Sequence, residues 1–521
     1  MNKNIDQITF NNQDANSWQS IDWKRINESV NKLRGSIYKA KKSNRYRYMR
    51  RLQDITLRSD ANILISIRKV TSINVGKRTP GLDKMLIKTN SERWNLFLEI
   101  QKMPRSQWLL EAKPVKRIYI PKPNGKSRPL GIPTIKDRVI QNIVKNALEP
   151  EWEQEFETGS YGFRPGRGCH DALERVYLAT ARHKKKLWAL DADIKGCFDN
   201  IDQNKLLEII GDFPAKNVIE AWLNAGHCEF PESTVTNTPT GTPQGGVISP
   251  LLANIALHGM EKLLGIKYVS TTEQCYGTNQ FTFIRYADDF IVLAKSEELC
   301  IKAKNLLEPW LKERGLEFAP EKVHITHLSE GIKFLGCLIK LYGKTKSTLL
   351  ISPHPENIQV HKNKIKEIWL KYKGQAPHVV ISNLNPIIRG WANYYRPWVS
   401  SKVFADLDHF MWHRAWRFAK RRHPNKSHKW IASKYFGTKV GISKNKWRFF
   451  GLYLGNTQLF LNHYSDILIE RHIIVKNKMD PDDPSQEAKA YWDKRTAKRQ
   501  SAVWAGMEGR STIAKKQYHV C

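Results

Sequence analysis

The chain has 521 residues, 41% of them hydrophobic, with 17 Trp, 18 Tyr and 19 Phe, which supports about two to four folded domains and excludes a disordered polymer. A formal net charge of +35, from 85 Lys and Arg against 50 Asp and Glu, points to a polyanionic partner, nucleic acid foremost. No apolar run approaches the ~20 residues that cross a bilayer, residues 1–20 lack the pattern of a targeting peptide, and seven cysteines without a Cys-x-x-Cys pair fit a reducing cytosol, so a cytoplasmic protein with no membrane partner is expected.

Residues 21–49 and 52–70 carry apolar side chains at three- and four-residue spacing, which predicts two basic helices. Arg45, Arg47 and Arg50 fall in the cationic run around their junction and are candidates for RNA contact. Gly76-Lys77-Arg78-Thr79-Pro80-Gly81-Leu82-Asp83 is a loop. Residues 116–134 read as a β-hairpin, because Asn124-Gly125 between two β-prone runs is a strong turn signal. The hairpin is cationic around its tip, with Lys122 in the turn and Arg128 on the return, which suits a triphosphate or template phosphates. Residues 135–149 predict a helix with Val139, Ile140, Ile143, Val144 and Leu148 on its apolar face. Tyr161-Gly162-Phe163-Arg164-Pro165-Gly166-Arg167-Gly168 is a glycine-rich basic loop leading into a helix from His170. It lacks the ending of a Walker loop, although amides near a helix start can still receive phosphate.

Trp188, Leu190, Ala192 and Ile194 alternate with the remaining positions, as in a strand that shows Asp191 and Asp193 on one face. Pro243-Gln244-Gly245-Gly246 lies in a Gly/Pro loop before a helix at Leu251. Phe281-Thr282-Phe283-Ile284-Arg285 and Phe290-Ile291-Val292-Leu293-Ala294 predict two strands, with Tyr286-Ala287-Asp288-Asp289 at their turn. Carboxylates are costly to bury alone, and a divalent cation suits their oxygens. With Asp288 and Asp289, a third acid from the strand that carries Asp191 and Asp193 could help hold two Mg²⁺ ions about 3.5–4 Å apart, the arrangement used to transfer a nucleotidyl group.

Residues 300–314 predict a helix and residues 332–339 a short strand. Pro353-His354-Pro355 reads as a linker, after which the character changes: residues 371–450 hold 17 Lys and Arg against 2 Asp and Glu, and six tryptophans. Cations interleaved with aromatics suit phosphate contacts plus stacking on unpaired bases. Arg389, Trp391, Arg396, Arg421 and Arg422 are the candidates there, with Ile388, Trp391 and Tyr395 also fitting a core face. Asp480-Pro481-Asp482-Asp483-Pro484 reads as an acidic hinge before a last basic run at Lys494-Arg495.

The ordered series of a basic hairpin, Tyr161-Gly-Phe-Arg-Pro, Asp193 with Phe198, Pro243-Gln-Gly-Gly, Tyr286-Ala-Asp-Asp, Pro320-Glu-Lys and Phe334-Leu-Gly resembles the reverse transcriptases. With Gly81-Leu-Asp83 upstream and the run from Asn385 to Arg396 downstream, it resembles a bacterial group II intron-encoded protein over roughly residues 20–520. The resemblance implies an α+β right-hand polymerase with fingers, an antiparallel palm sheet and a helical thumb. Its divisions would be a basic helical extension over 1–90, fingers and palm over 91–350, a thumb or maturase domain over 351–440, and a DNA-binding region over 441–521.

By the same resemblance Asp193 and Asp288 bind metal, Asp289 is the third catalytic acid, and the Ile194 carbonyl is a further ligand. Phe198 would gate against a ribose 2′-hydroxyl. Lys122, Arg128, Gln244 and Lys322 would meet the nucleotide. The implied partners are a group II intron RNA, target DNA and deoxynucleoside triphosphates, and the implied setting is the nucleoid. Many relatives continue into an endonuclease with a zinc site. Here the run to Cys521 looks like the approach to that site, and no zinc is expected within this stretch. Two rival readings share the motif order: a reverse transcriptase free of any intron, serving defence or a CRISPR system, and a splicing-only RNA-binding maturase.

Overall fold

The computed structural model describes residues 18–121, 125, 127–180, 186–229, 234–236, 238, 240–268, 279–343, 347–438, 446–453, 457–476 and 479–504. Lys122, Asn124 and the stretch ending at Cys521 lie outside the described residues.

The N-terminal part is helical and basic as predicted, but divided differently. Helices span Trp23–Lys42, Tyr46–Arg58 and Asp60–Arg68. The first break falls at Asn44, whose φ of 53° is a left-handed conformation that Asn tolerates better than most residues. The second falls at Ser59, which is extended. All three helices pack on the long helix Ile135–Glu155, which runs six residues beyond the predicted end and carries Pro150 within it.

Strands β1 (Val115–Pro121) and β2 (Ser127–Ile132) form the predicted hairpin, with Ile120 opposite Arg128. Next in chain order come β3 (Trp188–Asp193), β4 (His227–Glu229), β5 (Val235–Thr236), β6 (Thr282–Tyr286), β7 (Asp289–Ala294) and β8 (His324–His327). The fingers sheet has the order β2-β1-β4-β5 and the palm sheet the order β6-β7-β3-β8. All pairs in the palm sheet are antiparallel.

The palm is buried on both faces. Leu190, Ala192, Phe290, Val292 and Ala294 join one core, shared with Ile143, Val144 and Leu307 on the flanking helices. Ala189, Ile291 and Leu293 join a second core, shared with Trp369, Leu384 and Ile388 of the thumb helices. Burial from two sides is why Phe290 to Ala294 is continuously apolar rather than alternating.

Beyond the palm, the strand expected over 332–339 is a hairpin. Strand β9 (Ile332–Phe334) ends at Leu335 and Gly336, both at positive φ (46° and 77°), and β10 (Cys337–Tyr342) returns to pair with β11 (Thr348–Pro353). Positive φ at both central residues is what a two-residue hairpin turn requires. A palm–thumb division at 350 therefore cuts a strand. Nor is Pro353-His354-Pro355 a free linker: Pro353 pairs with Cys337, and the His354 side chain caps the helix Pro355–Lys371.

The thumb helices continue as Pro377–Tyr395, Ser401–Arg422 and His428–Tyr435. Strands β12 (Phe436–Gly437), β13 (Arg448–Tyr453) and β14 (Thr457–Phe460) form one sheet, so a boundary at 440 also divides a unit. Phe449, Leu461 and Tyr464 belong to the thumb core.

The acidic run at 480–484 is no hinge. Asp480 and Asp482 are buried. Arg34 of the first helix grips Asp482 through Nε (2.7 Å) and Nη2 (2.6 Å), Arg167 meets Asp480 at 3.3 Å, and Lys42 meets Asp483 at 3.1 Å. Basic side chains hundreds of residues upstream thus hold the C-terminal segment across the fingers.

Candidate active site

Strand register brings the predicted acids together. Asp193, at the end of β3, is directly opposite Asp289 at the start of β7, and Tyr286 closes on Asp289 to leave Ala287 and Asp288 as the turn. Ala287 has a φ of 61°, a left-handed conformation that costs a non-glycine residue roughly 1–3 kcal/mol and persists only where the surroundings impose it.

Those surroundings are identifiable. Arg285 is fully buried and donates from Nη1 to the Ala287 carbonyl and to Asn254 Oδ1, each at 3.0 Å. Asn254 in turn donates to the Gly162 carbonyl at 2.9 Å. The Gly159–Tyr161 loop bonds both sides of the Arg285 peptide, at 2.7 and 2.9 Å. A Cβ on Gly162 would stand 2.3 Å from the Ala287 nitrogen, so only glycine admits the turn here. Burial pulls the Arg285 guanidinium down to about 10, against the opposing charge of Glu157. Arg285, Asn254 and Gly162 were not singled out from the sequence. An arginine inside the apolar run Phe283-Ile284-Arg285 was the available signal, since a buried charge demands partners.

Burial, then the neighbouring Asp191, Asp193 and Asp288, push the Asp289 carboxyl up to about 7. Asp288 is also raised, by burial and by Asp193, with Arg128 and Lys322 pulling the other way. The Lys322 ammonium donates directly to Asp193 Oδ2, and that hydrogen bond raises its own pKa. Among the described residues no group of three or more His, Cys, Asp or Glu is closed up as a ready metal cage. The donor set nonetheless fits a hard divalent cation: oxygen ligands, mutual repulsion that a cation would relieve, and a lysine standing in as the counter-charge. Ile194 is buried beside them in a bridge to Phe318, whose bonds use the Asp193 carbonyl and the Lys195 amide and leave the Ile194 carbonyl out.

Asp191 shares the face of Asp193 and sits opposite Ile291 and His324. Burial pushes it up to about 6. Phe198 is buried in the helix Cys197–Asn200, its ring edge-on to Phe163 at 6.2 Å, while Thr242 donates to its carbonyl at 2.6 Å. Gln244 meets the fingers hairpin through its backbone, accepting from the Gly131 amide at 2.6 Å. Arg128 is exposed on β2.

The predicted RNA contacts divide. Arg45, Arg47, Arg421 and Arg422 are exposed, and Arg389 is half-buried. Arg50 is engaged by Glu151 at 2.5 Å and Arg396 by Glu470, so neither guanidinium stands free as expected. Trp391 packs against the thumb core, stacked on His361 at 4.7 Å and in contact with Tyr395 and Tyr464, which makes it structural. In the glycine-rich loop ahead of His170, the Arg164 and Arg167 side chains are buried on Glu153. For the arginines the cause is shared: a long basic side chain beside a carboxylate is claimed by it.

Residues 120–339 match the family described as reverse transcriptase (RNA-dependent DNA polymerase), residues 18–100 the N-terminal domain of reverse transcriptase, and residues 358–436 the group II intron maturase-specific domain. The chain is 31% identical to Protein YkfC of Escherichia coli over 305 residues, covering 52% of this chain and 79% of that protein. It is 32% identical over 410 residues to the group II intron-encoded protein LtrA of Lactococcus lactis, covering 63% of this chain and 66% of LtrA. A solved partial Cas6-RT-Cas1–Cas2 complex matches at 25% identity with a TM-score of 0.29, covering 50% of this chain and 41% of that one.

Proposed function

The chain belongs to the reverse transcriptases encoded by group II introns and is an RNA-directed DNA polymerase, and from that premise we propose that it binds its intron RNA, assists the splicing fold, and copies the RNA into DNA at an insertion site. The observation that carries the catalytic part is the register of Asp193 against Asp289 with Asp288 in the intervening turn.

In this reading Asp193, Asp288 and Asp289, with the Ile194 carbonyl, hold two Mg²⁺ ions. When bound, these supply activation of a primer 3′-hydroxyl and neutralisation of the leaving pyrophosphate. The residues of the chain do the rest. Arg128 and Lys122 receive the triphosphate of the incoming deoxynucleotide from the fingers hairpin. Gln244 would line its pocket, and Phe198 would exclude a ribose 2′-hydroxyl, favouring deoxyribose. Lys322, once released from Asp193, is free to accompany the departing phosphates. Arg285 keeps the Ala287 carbonyl fixed and so keeps Asp288 in place.

The exposed cations Arg45, Arg47, Arg421 and Arg422, with Arg389, would meet RNA phosphates. A protein of net charge +35 offsets phosphate repulsion as an RNA packs, which is the physical content of a maturase. Target DNA, retrohoming and a cytoplasmic, nucleoid-associated setting belong to the same proposal. The intron-free reading lacks a role for the maturase-specific match over 358–436, and the splicing-only reading lacks one for the three acids.

The test is the double variant Asp288→Ala/Asp289→Ala, assayed for primer extension and for intron splicing. Lost extension with retained splicing is expected; extension at the wild-type rate would refute the assignment, and lost splicing would refute separable roles.

A further inference from the structure

We propose that a cationic cavity between the palm-side helix Cys169–Thr180, the end of the thumb helix Pro377–Tyr395 and the returning C-terminal segment is a binding site for an unpaired nucleotide of RNA. The cavity has a volume of about 600 Å³, the scale of a single small-molecule occupant (~300–1,000 Å³) rather than of a duplex. None of the residues around Asp193 and Asp288 lines it, so it is distinct from the polymerase site.

Its lining asks for an anion. Arg396, Arg471, Lys476, Lys494, Arg495 and Lys498 face it, and among the described residues Glu470 is the only carboxylate in the lining. Glu470 is shared by Arg396 and by Lys498, the latter at 2.9 Å, and Asp171 behind the lining pairs with Arg495, so two carboxylates stand against six cations. Arg495 is the best-placed phosphate ligand. Its side chain is only 12% exposed and is fixed by Asp171 at 3.1 Å and the Ile473 carbonyl at 2.8 Å. Its Nε is nevertheless buried with no hydrogen-bond acceptor among the described residues. A buried N–H left without an acceptor costs about 1–3 kcal/mol, so the guanidinium beside the cavity is not fully satisfied by its protein partners.

The lining also asks for a flat, partly apolar group. Ile473, Ile474, Pro397 and the Tyr491 ring form apolar wall, and the His170 and His472 rings lie beside each other at 5.4 Å. Both imidazoles are anchored, His170 to the Tyr394 carbonyl at 2.7 Å and His472 to Asp171 at 2.9 Å, so they present fixed edges and faces. Phosphate oxygens beside arginine with a planar ring against aromatic wall is the chemistry of a nucleotide, and an unpaired base is what leaves its ring free to enter. Because the walls come from three chain segments far apart in sequence, an occupant also ties those segments together.

The proposal rests on the reading that an RNA lies along this side of the molecule. Splicing is not its readout, so the two can fail separately. The full chain is bound to a short single-stranded RNA carrying 4-thiouridine, irradiated, and the attached peptide mapped. Expected are a cross-link within residues 470–498, resistant to an equal concentration of DNA of the same sequence or of uridine 5′-monophosphate. The double variant Lys494→Glu/Lys498→Glu should bind the RNA about tenfold more weakly and reduce the salt dependence of log affinity by roughly one, with primer extension on an annealed primer–template unchanged. If that variant does not fold, Arg471→Glu, at an exposed position, repeats the measurement. No cross-link in 470–498, or unchanged affinity and salt dependence, overturns the site. A cross-link chased equally by DNA or by the mononucleotide overturns its assignment to an RNA strand.

Discussion

Lys322 and Asp193 hold each other at the end of the palm sheet: the lysine ammonium donates to the Asp193 carboxylate, the acid proposed as metal ligand. A lysine in that position competes with a cation for Asp193 and, once displaced, is available to a departing anion. The substitution Lys322→Ala should therefore separate two quantities. Apparent Mg²⁺ affinity of the free protein, read by Mn²⁺ competition, should tighten, while the rate of single-nucleotide incorporation at saturating Mg²⁺ should fall about 10²-fold, the usual effect of removing one charge-stabilising donor. Weaker metal binding, or an unaltered rate, would count against this division of labour.

The turn that carries Asp288 depends on support from outside the hairpin. Arg285→Ala removes the donor to the Ala287 carbonyl and to Asn254 Oδ1, and takes away a buried positive charge that Glu157 faces. Loss of about 2–4 kcal/mol is expected from leaving two buried acceptors unsatisfied, measured by urea denaturation. Gly162→Ala should be comparably damaging, because its Cβ would stand 2.3 Å from the Ala287 nitrogen. A Gly162→Ala protein as stable and active as wild type would show that the loop can retreat.

Asp191 and Asp289 share one face of the palm, yet only Asp289 adjoins Asp193 across the ladder. Asp289→Asn should reduce primer extension by at least a hundredfold and Asp191→Asn by less than tenfold, about 3 against 1 kcal/mol in barrier. Equal losses in a steady-state extension assay would make Asp191 a member of the site.

The ring of Phe198 is buried edge-on to Phe163, and its carbonyl is held by the Thr242 amide. Phe198→Ala should lower discrimination against ribonucleotides about 10²-fold, the scale on which a pocket senses one hydroxyl. Competition between a ribonucleotide and its deoxy counterpart provides the measurement, and unchanged selectivity would remove the gate.

The docked acidic run should be sensitive to pH. Burial, with Glu153, pushes the Asp480 carboxyl up to about 8, against the pull of Arg167. An unfolded chain loses that proton near pH 3.9, so the folded state binds it more tightly. Docking is then strongest at low pH and weakens as pH rises from about 4 through 8. Asp480→Asn should flatten this fall. Hydrogen exchange over residues 479–498 at pH 6 and pH 9 tests it: faster exchange at pH 9 in the wild type, after correction for intrinsic rates, should be largely absent from the variant.

Much of this molecule was legible along the chain. The palm strands and the hairpin turn at Asp288 follow from local composition and short-range periodicity, which act between residues a few positions apart. The identity of the three acids and the basic character of the thumb were likewise in the order of motifs. Tertiary structure decided which charges were free. Arg50, Arg164, Arg167 and Arg396 look alike in sequence to Arg45 and Arg421, and differ only because Glu151, Glu153, Asp480 or Glu470 reaches them in space. The acidic run at 480–484 has the composition of a hinge, but Arg34 lies close enough to neutralise Asp482 as it is buried. A charge's role depends on its partner, and partners separated by hundreds of residues are brought together only by the fold.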